Sequence, residues 1–188
     1  VKVTTSNYVM AEAVAEWSLM MTIFSLRQTA RDAQFGRTGS VNWSNRRDIK
    51  VTRDAVIGIW GLGDISRHLI NFLKPFCPKE ILVSSNHLTD EEAKRLGVRK
   101  VSFDDLFAES DVIHLLSGLT DKTWGIVGPK QLGLVKNGAV LINTGRGPLI
   151  NEPDLREALD SGVIAGAAID VLTTEPPKNG NPLFGAKN

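Results

Sequence analysis

Two glycines interrupt an apolar run in "AVIGIWGLGDISRHLI" at residues 55–70: Gly61 and Gly63, with Ser66 three positions on. Gly61 permits a tight turn, Gly63 lets backbone approach an anion with no Cβ in the way, and Ser66 is small enough for a following helix to pack closely on the strand before it. A helix opening at Asp64 and Ile65 presents free N–H groups and a partial positive charge at its start. That combination suits a pyrophosphate, and the ligand it implies is a dinucleotide. A glycine-rich strand-to-helix turn can equally be structural, so the surrounding pattern has to decide.

The elements around the turn favour the ligand. From 55 onward, apolar runs at 55–60, 81–84, 111–116, 139–143 and 164–170 read as strands, and amphipathic stretches at 64–75, 89–96, 102–109, 128–135 and 153–161 read as helices between them. Short strands apolar on both faces and separated by helices predict a parallel sheet covered on both sides: an α/β, Rossmann-type doubly wound fold. Ahead of it, Val9, Ala13, Val14, Trp17, Met20, Met21 and Phe24 recur at helical steps up to about Gly36, which predicts one long amphipathic helix stopped by Gly36 and Gly39. Residues 37–54 carry neither period and read as a connecting segment, with Trp43 tucked against a neighbour. The expected organisation is therefore a helix and connector over 1–54 and a dinucleotide-binding unit over 55–188.

Composition narrows the function classes. With 22 Lys+Arg against 21 Asp+Glu the formal charge is +1, which gives no broad field to attract nucleic acid or an anionic membrane. Cys77 is the only cysteine, so no intrachain disulfide or thiolate metal cluster can form, and a cytoplasmic location is expected. The apolar stretch "WSLMMTIFSL" at 17–26 is too short by itself to span a bilayer.

A Rossmann domain usually carries an acidic residue about 20 residues beyond the glycines, at the end of the second strand, where it binds the adenosine ribose hydroxyls. Here that end holds Ser84, Ser85 and Asn86. Nothing at Ser85 repels a 2′-phosphate, so either NAD or NADP is expected.

The stretch "VLINTGRGPLINEPDLREALDSGVIAGAAIDVLTTEPP" at 140–177 resembles the D-isomer-specific 2-hydroxyacid dehydrogenases, in which an Asn-Thr-x-Arg-Gly turn and an Asp-Val-x-x-x-Glu-Pro turn recur. "AEAVAEW" at 11–17 looks like that family's interdomain helix, "GIWGLGDIS" like its phosphate loop, and "SDVIHLLSGLTDKTWGIVG" like its fourth strand and following loop, so the likeness covers nearly the whole chain. It implies hydride transfer between a nicotinamide and a 2-hydroxy or 2-keto acid, with a second copy of the chain packed on the first helix. Arg146 would be the substrate-binding cation, its planar guanidinium gripping carboxylate and keto oxygens as a fork. Glu175 would hydrogen-bond the catalytic histidine and raise its pKa. Asp170 would accept from the nicotinamide carboxamide, Thr144 and Gly145 would line the nicotinamide ribose side, and Ser117, Gly118 and Thr123 would form the loop over the cofactor. The same fold also serves dinucleotide-sensing interaction proteins of the co-repressor type, and fold alone does not separate the two.

The chain departs from the family at three places. Asp64 stands where an arginine often faces the pyrophosphate, which is unfavourable unless its side chain caps backbone N–H groups. Leu116 and Gly118 replace a frequent His-x-Pro, and Ser85 replaces the ribose-binding aspartate. The family's acid/base histidine lies beyond Glu175 in a Pro-His pair that residues 176–188 do not contain. His68, His87 and His114 read as surface or core residues, so the catalytic histidine and the family's substrate domain are expected outside this sequence. Residues 1–188 alone are expected to bind dinucleotide weakly and reduce no keto acid.

Overall fold

The computed structural model describes residues 7–39, 49–177 and 180–186. Six parallel strands, β1 Val56–Trp60, β2 Glu80–Ser84, β3 Arg99–Lys100, β4 Val112–Leu115, β5 Val140–Asn143 and β6 Gly166–Ile169, form one sheet in the order β3-β2-β1-β4-β5-β6. The connecting helices are α3 Asp64–Leu73, α4 Asp90–Leu96, α5 Phe103–Glu109, α6 Pro129–Leu134 and α7 Glu152–Ser161. This is the doubly wound order in which the chain reverses direction across the sheet between β1 and β4. The five longer strands and all five of these helices lie within two residues of their predicted ends; the two-residue β3 carries no apolar run and was not predicted.

Strand alternation divides the interior into two layers. Ile57, Ile59, Ile81, Val83, Val112, Val140 and Ile142 face one side with α3 and α4, while Val56, Trp60, Leu82, Ile113, Leu115 and Leu141 face the other with α5, α6 and α7. Side-chain caps fix several helix starts: Thr89 accepts from the Glu92 N–H, Ser102 from Asp105 and Asn151 from Asp154. At the amino edge of the sheet the buried Asp111 accepts from the Val56 N–H at 2.8 Å and from Lys50 Nζ at 2.8 Å. Burial pushes its carboxyl upward, and Lys50, the Val56 N–H and Lys136 more than offset that, holding it below the usual carboxylate range.

The long first helix is corrected in two respects. It is two helices, α1 Asn7–Leu26 and α2 Thr29–Thr38, broken at Gln28, which adopts a left-handed φ of 56°. Gly36 lies within α2, and the helix ends only before Gly39. The buried face of α1 is also not the apolar one. Ala11, Ala15, Ser18, Thr22 and Leu26 are seated on the sheet and α3, while Val9, Met10 and Met20 are exposed. Small side chains let the helix axis approach closely, so burial here follows size rather than hydropathy. The span Val9–Leu26 is moreover long and apolar enough to cross a membrane by length and composition, which the stretch 17–26 alone did not suggest; here one side of it is docked on the sheet. The expected packing of Trp43 lies outside the described residues.

Candidate functional site

Three turns converge at the carboxyl ends of β1, β4 and β5, at the point where the strand order reverses. Gly61 has a φ of 101°, and a Cβ there would lie 2.8 Å from Leu116 O and 2.9 Å from Ser117 Cα. A Cβ on Gly145 would lie 2.8 Å from Leu115 O and 3.2 Å from Ser117 O. The expected residues Gly61, Ser117 and Gly145 are thus brought into backbone contact, with the Leu115–Ser117 segment between the two glycines.

Gly63 differs from Gly61: its φ is −98° and nothing lies within 4 Å of a Cβ built on it, so it faces open space at the start of α3. No side chain caps that start, and Asp64 is exposed in the first turn without the capping bond that would turn its charge aside. Ile65 is half-buried. Ser66 is fully buried between α3 and the sheet, as close packing requires, and its Oγ has no hydrogen-bond partner. Uncapped N–H groups beside an open glycine fit a dinucleotide pyrophosphate.

The end of β2 adjoins this turn, because the Gly61 N–H donates to Ser84 O at 2.9 Å. Ser85 follows, half-buried, its Oγ accepting from the His87 N–H at 3.2 Å. On the same rim Arg67, in the first turn of α3, pairs with Glu92 at 2.7 Å, and Arg95 reaches the same oxygen at 3.3 Å. The Arg67 hydrogen bond holds the Glu92 carboxyl below its ordinary range. Sequence spacing did not connect Arg67 and Arg95 through Glu92.

After β5 the buried Asn143 folds the next turn around itself: its Oδ1 accepts from the Gly145 N–H at 3.1 Å and its Nδ2 donates to Arg146 O at 3.0 Å. Thr144 and Gly145 are buried within that turn. Arg146 is exposed, with Nη1 donating to Gly145 O at 2.7 Å, so its guanidinium is folded back over the turn. Gly147 then packs against the segment after β6: a Cβ there would lie 2.0 Å from the Leu172 carbonyl carbon, a space only glycine can occupy. Asp170, exposed at the end of β6, is tied to the same turn by its N–H donating to Asn143 O at 3.0 Å. The exposed Glu175 accepts from the Leu172 N–H at 2.8 Å. Arg146, Asp170 and Glu175 are therefore carried on two turns that are packed together through Gly147 and Leu172.

Glu152 was not singled out in the sequence. It is buried in the first turn of α7, where Oε1 accepts from the Thr173 N–H at 2.7 Å and Oε2 from Asn181 Nδ2 at 3.1 Å, fixing the segment that bears Glu175. Over the other side, Thr123 Oγ1 accepts from the Thr120 N–H at 2.7 Å and bonds back to Gly118 O at 3.0 Å, so Gly118 and Thr123 belong to one tight loop. Of the histidines, His68 lies on α3 beside Phe72, His87 is exposed in the β2–α4 turn, and His114 is fully buried in β4. Burial lowers the His114 pKa to about 3, which keeps it neutral.

Residues 19–188 match the family described as D-isomer specific 2-hydroxyacid dehydrogenase, NAD binding domain. The glyoxylate reductase of Aeropyrum pernix is 33% identical over 192 residues, which cover 99% of this chain and 57% of that protein. Among solved structures, a D-lactate dehydrogenase with NAD+ from Lactobacillus jensenii is similar at a TM-score of 0.79 and 26% identity, over 88% of this chain and 49% of that one. A glyoxylate reductase from Paecilomyes thermophila is similar at a TM-score of 0.77 and 32% identity, over 96% and 53%. The chain spans about half the length of these relatives. On the match over 19–188, this chain belongs to the D-isomer specific 2-hydroxyacid dehydrogenase family and comprises its NAD-binding domain.

Proposed function

We propose that the protein carrying this chain is an NAD(P)-dependent oxidoreductase that interconverts a D-2-hydroxy acid and its 2-keto acid. The carrying observation is the placement of Arg146, exposed on an Asn143-braced turn that packs through Gly147 on the turn bearing Glu175. A cation and a carboxylate on adjoining rigid turns at the switch point are what a substrate carboxylate and a proton-donating partner require.

Bound at Gly61–Ser66, NAD(P) supplies the hydride donor and acceptor. The uncapped start of α3 and the open face of Gly63 receive its pyrophosphate, Ser85 the adenosine ribose, and Thr144, Gly145 and Asp170 its nicotinamide half, with Ser117, Gly118 and Thr123 alongside. Arg146 swings from Gly145 O to grip the substrate carboxylate as a fork, holding the reacting carbon in place and stabilising charge on its oxygen. Glu175 turns from the Leu172 N–H to a histidine and favours its protonated form, keeping the proton a keto acid must receive. That histidine comes from outside the described residues: His114 is sealed behind α1, and His68 and His87 sit on α3 and on the ribose rim. The substrate is a small 2-keto acid. A second copy covers the exposed Val9, Met10 and Met20 of α1, giving a homodimer, and the protein works in the cytoplasm.

The test is turnover of glyoxylate, hydroxypyruvate and pyruvate by the protein that carries this chain, with Arg146→Lys beside it. The variant is expected to lose about a hundredfold or more in kcat/KM while its NADH affinity stays within about twofold. Equal kcat/KM in both proteins would remove Arg146 from the substrate site.

A further inference from the structure

Beneath the Asn143–Arg146 turn, one patch of an otherwise aliphatic layer is polar. Ser18, Thr22 and His114 are fully buried there and Thr144 nearly so. Ser18 Oγ donates to Val14 O at 2.9 Å, which commits its only proton. The 3.2 Å contact between Ser18 Oγ and Thr144 Oγ1 is therefore donated by Thr144. One helical turn on, Thr22 Oγ1 donates to Ser18 O at 2.9 Å, so at the 2.9 Å contact with His114 the imidazole Nε2–H is the donor. This assigns the Nε2–H tautomer and leaves Nδ1 as a bare lone pair, and Nδ1 is indeed buried without a partner.

Two side chains of β4 and the β5 turn thus feed protons into α1 across 92 and 126 residues of sequence. Seating a helix does not need this arrangement. Ala11 and Ala15 dock the preceding turns of α1 with methyl groups alone, and buried hydroxyls and an unpaired imidazole nitrogen cost desolvation that alanine or valine would avoid. What the hydrogen bonds add is direction: they fix the Thr144 hydroxyl, one residue from Asn143 and two from Arg146.

We propose that Ser18 is a positioning residue for the nicotinamide half of the cofactor site, acting through Thr144, with Thr22 and His114 holding α1 at the depth and rotation that make the contact. The proposal rests on reading the Asn143–Arg146 turn as the nicotinamide side. Ser18 accepts the Thr144 proton, Thr144 is held in one rotamer, and the Gly145 and Arg146 backbone keeps the shape that Asn143 gives it. The helix whose outer face is open is in this way joined to the substrate-binding turn.

The experiment is calorimetric titration of the chain with NADH and with ADP-ribose, which lacks the nicotinamide, for wild type, Ser18→Ala, Ser18→Thr and Thr144→Val. Ser18→Ala is expected to weaken NADH about three- to tenfold, the value of one neutral hydrogen bond, while ADP-ribose stays within about twofold. Ser18→Thr is expected to restore NADH binding, and Thr144→Val to repeat the selective loss if Ser18→Ala does not fold. Unchanged NADH affinity in the variants, or equal fractional loss for both ligands, would overturn the proposal while leaving the dinucleotide site standing. Failure of wild type to bind either ligand would instead overturn the reading of the site, and the proposal with it.

Discussion

His114 Nε2 and Thr22 Oγ1 meet at 2.9 Å inside a closed layer between β4 and α1, and the imidazole there is a neutral donor. Unfolded, His114 titrates near 6.5; folded, burial lowers that to about 3. Between those values only the unfolded chain takes up the proton, so the stability His114 permits is complete above about pH 6.5 and declines as pH falls toward 3. At about pH 5 the loss reaches about 2 kcal/mol. His114→Gln, which keeps a donor without the titration, is expected to lose that much less than wild type between pH 7 and 5 in urea unfolding. Parallel pH dependences would refute the assignment.

The two glycines of the first turn separate stability from binding. Gly61→Ala forces a side chain into a φ of 101° and against Leu116 O, so it is expected to destabilise the fold by about 2 kcal/mol or more. Gly63→Ala meets open space at an ordinary φ and is expected to leave the melting temperature within about 2 °C of wild type. Thermal unfolding of both variants checks this directly.

Ser85 governs the ribose end. With Ser85 rather than a carboxylate after β2, the two cofactors are expected to bind within about a hundredfold of one another, ~2.7 kcal/mol. Ser85→Asp is expected to move the ratio toward NAD, since its charge repels a 2′-phosphate and accepts from ribose hydroxyls. Titration of each variant with NADH and NADPH decides it; an unmoved ratio would place the ribose elsewhere.

Glu152 holds the segment that bears Glu175, through the Thr173 N–H and Asn181. Glu152→Ala is expected to cost about 1 kcal/mol by removing the acceptor shared by two donors that water can partly reach. Hydrogen exchange at Thr173 is expected to accelerate in the variant before that of β5. Unchanged protection at Thr173 would show that the segment is held by other contacts.

What the sequence revealed and what it concealed follow from the range of the forces involved. Strands such as 81–84 and 140–143 are read from apolar runs, and the Gly61–Gly63 turn from local backbone demands, because both signals are contained in a few consecutive residues. Ser18, Thr22 and His114 were hidden for the opposite reason: a hydroxyl-lined helix face reads as the solvent side, and its partners lie in other elements. The same error placed Val9 on the packed face and passed over Ala15, whereas Val9 is exposed and Ala15 buried. The break at Gln28 has neither Gly nor Pro to announce it, and Glu152 looks like any acidic residue in a helix's first turn. Arg146 and Glu175 were legible as motif residues, but only the Gly147–Leu172 contact shows that their turns adjoin.

We propose above all that the Gly61–Ser66 turn binds a dinucleotide pyrophosphate. Calorimetric titration of the chain with NADH, wild type against Gly63→Ala, tests it most directly. Wild type is expected to bind, and the added methyl group, which leaves the fold unchanged, is expected to weaken binding by about tenfold or more. Equal affinity in the two proteins, at equal stability, would contradict it.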